Sequence, residues 1–555
     1  MKTKISLLSA AILPVLALAM LPADAEARLT QAQKAAAVAR AQALLDGPAA
    51  ARINRAQGDA FAATPAAVVV DADGTEHVRF QRVWGNGLPV IGGDFVLHSR
   101  QGRLLDVTQT LDSGVRPVNA RAAFGSGYAI NAASRAFPLR QEGRAKSRQV
   151  VYARGGIEPV LAHEVVLAGT RADQTPSLMH YIVSAADGRI LDQWDEIHTA
   201  RPGRDGTNNC TSGSPASGTG NTVTAGSVAL DTALCGTSYQ LRDLARGGGT
   251  TTNMGMRQIG MGTVFVDADN NWGNGSLSNS QSAGAEAHYG VALTWDYFLN
   301  EHGRAGIADD GVGAIARVHY GRNYINAFWS DACFCMTFGD GDNGVNYYPL
   351  TVIDVAAHEM THGVTSRTAD LIYSGESGGL NEATSDIFGA MVEFYGNNAA
   401  DPGDYLIGEE FIVGNPGDEA LRFMFKPSLD GVSVDCWYPD IGSIDVHYSS
   451  GVANLFFYLL AEGAVVPAGF GAGTNANLAP ADLVCDGNTS HTGIGRQKAG
   501  QIWYRALTTY MTSATDYAGA RAATLQAAED LFGAGSAEQQ AVNAAWDSVS
   551  VPDVI

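Results

Sequence analysis

His358-Glu359-Met360-Thr361-His362, in a segment from Val352 to Thr365 with no helix breaker before Gly363, decides how the chain is read. Residues four apart share one helical face, so both imidazoles can reach one ion while Glu359 points to the same side. That geometry suits zinc, which needs a third protein ligand and an open position for water if it is to be catalytic. Twenty residues after His362 stands Glu382, within Gly379-Leu380-Asn381-Glu382-Ala383-Thr384-Ser385-Asp386-Ile387-Phe388-Gly389. This is a second helical pattern, with Glu382 and Asp386 on one face. Alone, the first motif fits a surface helix with two titrating histidines and the second a solvated acidic face. Both together at this spacing favour a metal centre.

Outward from the motif, 555 residues exceed one ordinary core and predict processing or several units. Lys2 and Lys4, the apolar run Ile5 to Met20 and Ala23-Asp24-Ala25 read as an export signal over residues 1–25. The expected product is a soluble, secreted protein with no membrane attachment after signal removal, the alternative being a single N-terminal anchor. A formal charge of -21 argues against a nucleic-acid or anionic-membrane partner, since phosphate binding relies on a Lys/Arg surplus. Cys210, Cys235, Cys333, Cys335, Cys436 and Cys485 are expected to form disulfides in an exported chain. Pairing neighbours would close an unusually tight Cys333-Phe334-Cys335 ring, and all fifteen connectivities stay open.

Leu29 to Leu45 has a helical composition. His77 to Trp84 alternates at period two, Asn86-Gly87 signals a turn, and Asp94 to His98 resumes extended structure. Tyr181 to Ser184 and Arg189 to Trp194 flank a turn at Asp187-Gly188. Residues 26–200 thus form an α+β region of their own. The Gly/Ser/Thr-rich stretch Arg201 to Gly220 separates it from residues 201–555. Beyond it come strands, a helix over Glu286 to His302, further strands to Leu350, and a largely helical half. Gly339-Asp340-Gly341-Asp342-Asn343 lacks full calcium-loop spacing and reads as a turn.

The paired motifs resemble the thermolysin family of metallopeptidases, over roughly residues 205–551. The resemblance implies a two-lobed catalytic domain, with a β-rich lobe over about 205–355, a helical lobe over 356–551 and zinc in the cleft. Residues 55 to 197 look like the family's propeptide, implying an intramolecular inhibitor and folding aid removed by a cut near residues 198 to 206. It assigns Glu382 as third zinc ligand, with Asp386 and Asn381 behind the ligands; Asp386 would accept the other ring N–H of His358. Glu359 is then the general base, Tyr373 and His447 the oxyanion donors, and Asp445 the group that holds His447. Arg422 matches a substrate-carbonyl-binding Arg, and Asn326-Ala327 a substrate-backbone edge strand. The chain departs from the family's simplest members at Cys333-Phe334-Cys335, where two extra residues follow that strand.

Leu350, Val355 and Leu421 match an apolar specificity pocket, implying cleavage before bulky hydrophobic residues. Asp354, Glu393 and Asp404, with the Leu406 carbonyl and Glu409, match calcium ligands. The expected protein is a monomeric zinc endopeptidase acting on proteins and peptides. Two other classes stand beside it: an inactive zinc-bearing binding protein, disfavoured by the intact Glu359, Tyr373 and His447, and a zinc hydrolase of non-peptide amides.

Overall fold

A computed structural model describes residues 29–53, 59–85, 87–111, 122–154, 158–196, 210, 213–415 and 417–553. The expected export signal and the activation cut near residues 198 to 206 lie outside the described residues.

Helix α1 (Gln31–Leu45) starts at a capping box in which Thr30 Oγ1 accepts the Gln33 N–H and the Gln33 side chain accepts the Thr30 N–H. Its buried face, Ala37, Ala41 and Leu45, shares a core with Phe80, Phe95 and Leu97. Those aromatics come from a nine-stranded sheet built of β1 (Asp59–Val70), β2 (Thr75–Trp84), β3 (Leu88–Ile91), β4 (Phe95–Arg100), β5 (Arg103–Gln109), β6 (Glu142–Tyr152), β7 (Val160–Thr170), β8 (Pro176–Ser184) and β9 (Ile190–Asp195). The order is β5-β4-β2-β3-β6-β7-β8-β9, with β1 beside β2. Helix α2 (Ser126–Ala136) packs Ala129 and Ala133 against Val165, Leu167 and Tyr181 in a second core.

Most buried apolar residues from 213 onward share one extensive core that runs from Trp272 and Trp329 to Trp503 and Trp546, with Met254, Tyr320, Tyr324 and Phe328 in a small cluster of their own. Two sheets come first, one with strands 214–221 and 227–235 at its centre, the other joining strands 249–253, 315–320, 335–339 and 327–330. The Ala327–Ser330 strand ends that order, pairing antiparallel with Cys335–Gly339 from Ala327↔Phe338 to Ser330↔Cys335. Register is regular along this pair, so the extra residues at Cys333-Phe334-Cys335 are confined to the hairpin tip. There Phe334 takes a left-handed φ of 53° and packs edge-on to Trp329 at 5.4 Å.

Helix α3 (Ser280–His302) starts six residues before the Glu286 read from sequence, because Asn279 caps it by accepting the Gln281 N–H. Helices α4 (Ile353–Ser366) and α5 (Gly375–Gly396) pack together through buried small residues such as Ala356, Ala357, Ala383 and Ala390. α4 begins at Ile353, so the expected lobe boundary at 355/356 falls inside it. Then follow α6 (Val446–Ser449), α7 (Gly451–Glu462), α8 (Arg496–Arg505), α9 (Tyr517–Phe532) and α10 (Ala537–Ser548). Cysteines pair as Cys210–Cys235, Cys333–Cys335 and Cys436–Cys485, the neighbour-to-neighbour arrangement. No described helix is long and apolar enough to cross a membrane.

The two regions are joined by polar contacts. Arg505 pairs with Asp71 through two bonds of 2.6 and 2.8 Å, Arg79 donates to the Met511 carbonyl at 2.6 Å, and Asp94 accepts the Ser513 N–H at 3.0 Å. Arg154 reaches the Ser374 carbonyl and the Ser377 hydroxyl, beside Tyr373.

Candidate metal centre

α4 carries His358, Glu359 and His362 on its buried face, and α5 brings Glu382 and Asp386 against them. His358 Nε2 and His362 Nε2 stand 3.1 Å apart, with Glu382 carboxylate oxygens 3.6 and 3.4 Å from them. Each imidazole is held from behind: His358 Nδ1 by Asp386 at 2.9 Å, His362 Nδ1 by Asn381 at 2.8 Å. Both Nδ1 positions face acceptors, which fixes the tautomer and turns both Nε2 lone pairs toward one point. Lone pairs and a carboxylate converging in a buried space repel one another unless a cation lies between them. Glu382 Oε2 is buried without a hydrogen-bond partner. Two imidazoles and a carboxylate with ligand atoms within 4.8 Å of one another are a donor set that fits zinc.

The surroundings are strongly charged. Asp386 accepts Arg422 Nε at 2.7 Å, Arg422 Nη2 at 2.5 Å and Asn454 Nδ2 at 2.8 Å, as well as the bond from His358. Burial would raise its pKa, yet Arg422 and His358 hold it well below the usual carboxylate range. Glu382 behaves alike: burial opposes ionisation, but His447, Arg422 and, while no cation fills the site, proton-bearing rings of His358 and His362 bring it down to about 2. Glu359 differs. Burial, only partly offset by His358, pushes its carboxyl up to about 7.

Tyr373 OH donates to Glu382 and lies 3.2 Å from His447 Nε2. Asp445 caps α6 by accepting the His447 N–H at 3.0 Å and takes His447 Nδ1 at 2.7 Å. Burial lowers the His447 pKa, but Glu382's charge and the Asp445 bond outweigh it and the net shift is upward. Tyr373, His447, Asp445, Arg422, Asn381 and Asp386 therefore all gather around the two histidines and Glu382.

Of the expected pocket residues, Leu350 and Val355 are buried, whereas Leu421 is 48% exposed and does not join them in the core. Asn326 lies at the start of the edge strand, its side chain accepting the Ala327 N–H at 2.9 Å.

Further along α5, Glu393, Asp401 and Glu409 form a second buried group with ligand atoms within 4.8 Å of one another. Asp401 is absent from the set read from sequence. Oxygens of all three are buried without hydrogen-bond partners. The expected members Asp354 and Asp404 stand beside them but spend oxygens on main-chain N–H groups, Asp354 on Val355 and Gly408, Asp404 on Leu406. Leu406 pairs with Phe423 in a two-stranded ladder. Burial pushes Asp401 up to about 8 and Asp354 to about 6, and with the help of neighbouring acids it raises Glu393 and Glu409 well above the usual carboxylate range. Buried, unpaired oxygens of this kind fit a hard cation.

Asn454 also escaped the sequence reading. Its signal was present: one polar residue inside the otherwise apolar, wholly buried start of α7, Gly451-Val452-Ala453-Asn454-Leu455-Phe456. Asp401 had none.

Fold and site together define a class, a metallopeptidase with two histidines one helical turn apart and a glutamate from the next helix. Comparison with known proteins narrows it. Residues 217–366 match the model of the thermolysin metallopeptidase catalytic domain, 369–551 its alpha-helical domain, and 64–111 the fungalysin/thermolysin propeptide motif. A transglutaminase-activating metalloprotease of Streptomyces mobaraensis is 47% identical over 87% of this chain, a match spanning 60% of that protein's length. Thermolysin of Alicyclobacillus acidocaldarius subsp. acidocaldarius is 35% identical over 87% of this chain and 84% of its own. The solved precursor of protealysin from Serratia proteamaculans is 30% identical, covering 55% of this chain and 87% of its own at a TM-score of 0.41. The chain belongs to the thermolysin family of zinc metallopeptidases and carries that family's propeptide motif.

Proposed function

We propose that the protein is a secreted, monomeric endopeptidase made as a zymogen, cleaving proteins before bulky hydrophobic residues. Its mature domain starts near residue 201, after removal of a signal at 1–25 and a pro-region at 26–200. The observation that carries this reading is the pair of Nε2 atoms 3.1 Å apart beside Glu382, with the buried, ionisable Glu359 on the same helix. Bound by His358, His362 and Glu382, zinc supplies a Lewis acid for the scissile carbonyl and lowers the pKa of a water towards ~7. Glu359 takes the proton of the attacking water and passes it to the leaving nitrogen. Tyr373 and His447, already 3.2 Å apart, donate to the developing oxyanion, and Asp445 keeps the His447 ring oriented and positively biased.

Arg422, anchored on Asp386, presents the rest of its guanidinium to a substrate carbonyl, and Asn326 and Ala327, at the start of the strand that ends the sheet order, pair with the substrate backbone. Leu350 and Val355, with Leu421 at the rim, face the residue after the scissile bond. Calcium occupies the acid group of Glu393, Asp401 and Glu409, with Asp354, Asp404 and the Leu406 carbonyl around it. Casein hydrolysis by the purified mature form, lost with a chelator and restored by zinc alone, is the expected result. Hydrolysis that survives complete metal removal contradicts the reading.

A further inference from the structure

Between β7 and β8 the pro-region makes a tight turn, Arg171-Ala172-Asp173-Gln174-Thr175. Arg171 N–H donates to the Thr175 carbonyl at 2.8 Å, Gln174 N–H to the Arg171 carbonyl at 3.0 Å, and Asp173 accepts the Thr175 N–H at 3.0 Å. Within it Gln174 holds a φ of 78°, a left-handed conformation that suits glycine and disfavours a residue with a side chain. The turn tolerates this at the residue whose side chain leaves the pro-region. Gln174 Oε1 accepts the Arg322 N–H at 2.9 Å and Gln258 Nε2 at 2.8 Å, while Gln174 Nε2 donates to the Arg322 carbonyl at 2.7 Å. One primary amide thus satisfies both main-chain groups of Arg322, as a paired strand would. Beside it Thr175 Oγ1 meets the buried Tyr324 OH at 3.1 Å, two residues before Asn326.

The catalytic side is shaped for that amide. Gly321, at φ 66°, has no side chain, and a Cβ there would stand 2.9 Å from Gln174 Oε1. We propose that Gly321, Arg322 and Gln258 form a carboxamide-binding notch at the entrance to the substrate edge strand, filled by Gln174 in the precursor and open to a substrate glutamine after the pro-region leaves. Two donors meet the carbonyl oxygen and one acceptor meets the NH2, so a glutamate, which would turn an oxygen lone pair toward the Arg322 carbonyl, is rejected. The substrate half rests on the endopeptidase reading above; the occupancy of the notch by Gln174 does not.

Amide hydrogen exchange in the full-length precursor, kept uncut by Glu359→Gln, tests occupancy. Gln174→Gly suits the left-handed turn and so preserves the fold while emptying the notch, and Gln174→Glu keeps the side-chain length but removes the donor. Exchange over residues 320–324 is expected to speed up by about tenfold in the glycine variant, a single neutral hydrogen bond's worth, and by less in the glutamate variant. Unchanged exchange in the glycine variant overturns the notch.

The mature form is then given matched peptides bearing Gln, Glu or Leu at each position flanking one scissile bond. At one position Gln is expected to exceed both Glu and Leu by about tenfold in kcat/KM, mostly through KM. Gln258→Leu, which removes a donor to the oxygen that Gln and Glu share, is expected to bring the Gln-over-Leu ratio toward one while Glu stays disfavoured by the Arg322 carbonyl. Cleavage of the Leu peptides with no Gln preference at any position overturns the substrate site and leaves the endopeptidase standing. If no peptide is cleaved, the endopeptidase reading falls and takes the substrate half with it, while hydrogen exchange still decides occupancy.

Discussion

Helix α5 carries carboxylates into two buried environments that treat them in opposite ways. At its first half, Glu382 and Asp386 are driven to ionise despite complete burial, because Arg422 and three histidines surround them. At its end, Glu393 meets Asp401 and Glu409 with no comparable cation among the described residues, and all three are pushed toward the protonated form. Burial is the leading influence in both places and raises the pKa in both, so the charged neighbours decide the sign. The first environment is preorganised by protein groups and needs an ion for its open lone pairs. The second is made only of acids and needs an ion for charge balance itself.

Asp386 separates the two environments most sharply. Asp386→Ala strands the buried Arg422 guanidinium and frees the His358 ring, with an expected loss of about 3–5 kcal/mol in unfolding free energy. Zinc affinity should fall by about 10–100-fold, read by competition with a chelator. Next in size is the response of the acid group to its cation. In the cation-free fold Asp354 and Asp401 titrate at about 6 and about 8, above the ~4 of an unfolded chain. Between those limits the fold binds more protons than the unfolded chain, so stability falls as pH rises. A cation that keeps the oxygens ionised removes this penalty. The Tm difference between calcium-replete and calcium-stripped protein should therefore widen from about pH 5 to about pH 8; a gap that narrows refutes the assignment.

A finer probe is Asn454→Leu, which removes one of the donors that hold Asp386. About 1 kcal/mol of stability should be lost, with zinc released to a chelator up to about tenfold faster. Activity with saturating zinc should fall less than in Asp386→Ala. If zinc release is unchanged, Asn454 fills space and nothing more.

The zinc environment was legible in the sequence and the acid group only partly so, for a physical reason. His358, Glu359 and His362 lie one turn apart on one helix, and local spacing fixes their common face. Glu382 and Asp386 repeat the logic on the next helix, where spacing needed the family resemblance to become an assignment. Asp401 follows the left-handed end of α5 at Asn397 and reaches Glu393 because the chain folds back at Gly403, where a Cβ would lie 2.5 Å from the Phe394 backbone. No local pattern encodes that return. Contacts between the two regions, such as Gln174 with Arg322 or Arg154 with Ser374, join residues about 150 to 220 positions apart and were equally invisible. Strand alternation at His77 to Trp84 and the turn at Asp187-Gly188 were legible because they depend on neighbours alone.

Zinc content and peptide turnover, measured in one preparation of mature Glu359→Gln, decide whether the zinc site works through Glu359. One zinc per chain is expected, as in the wild type, with kcat/KM lowered by about 10²–10⁴-fold. Turnover close to wild type with zinc in place would contradict that role for Glu359.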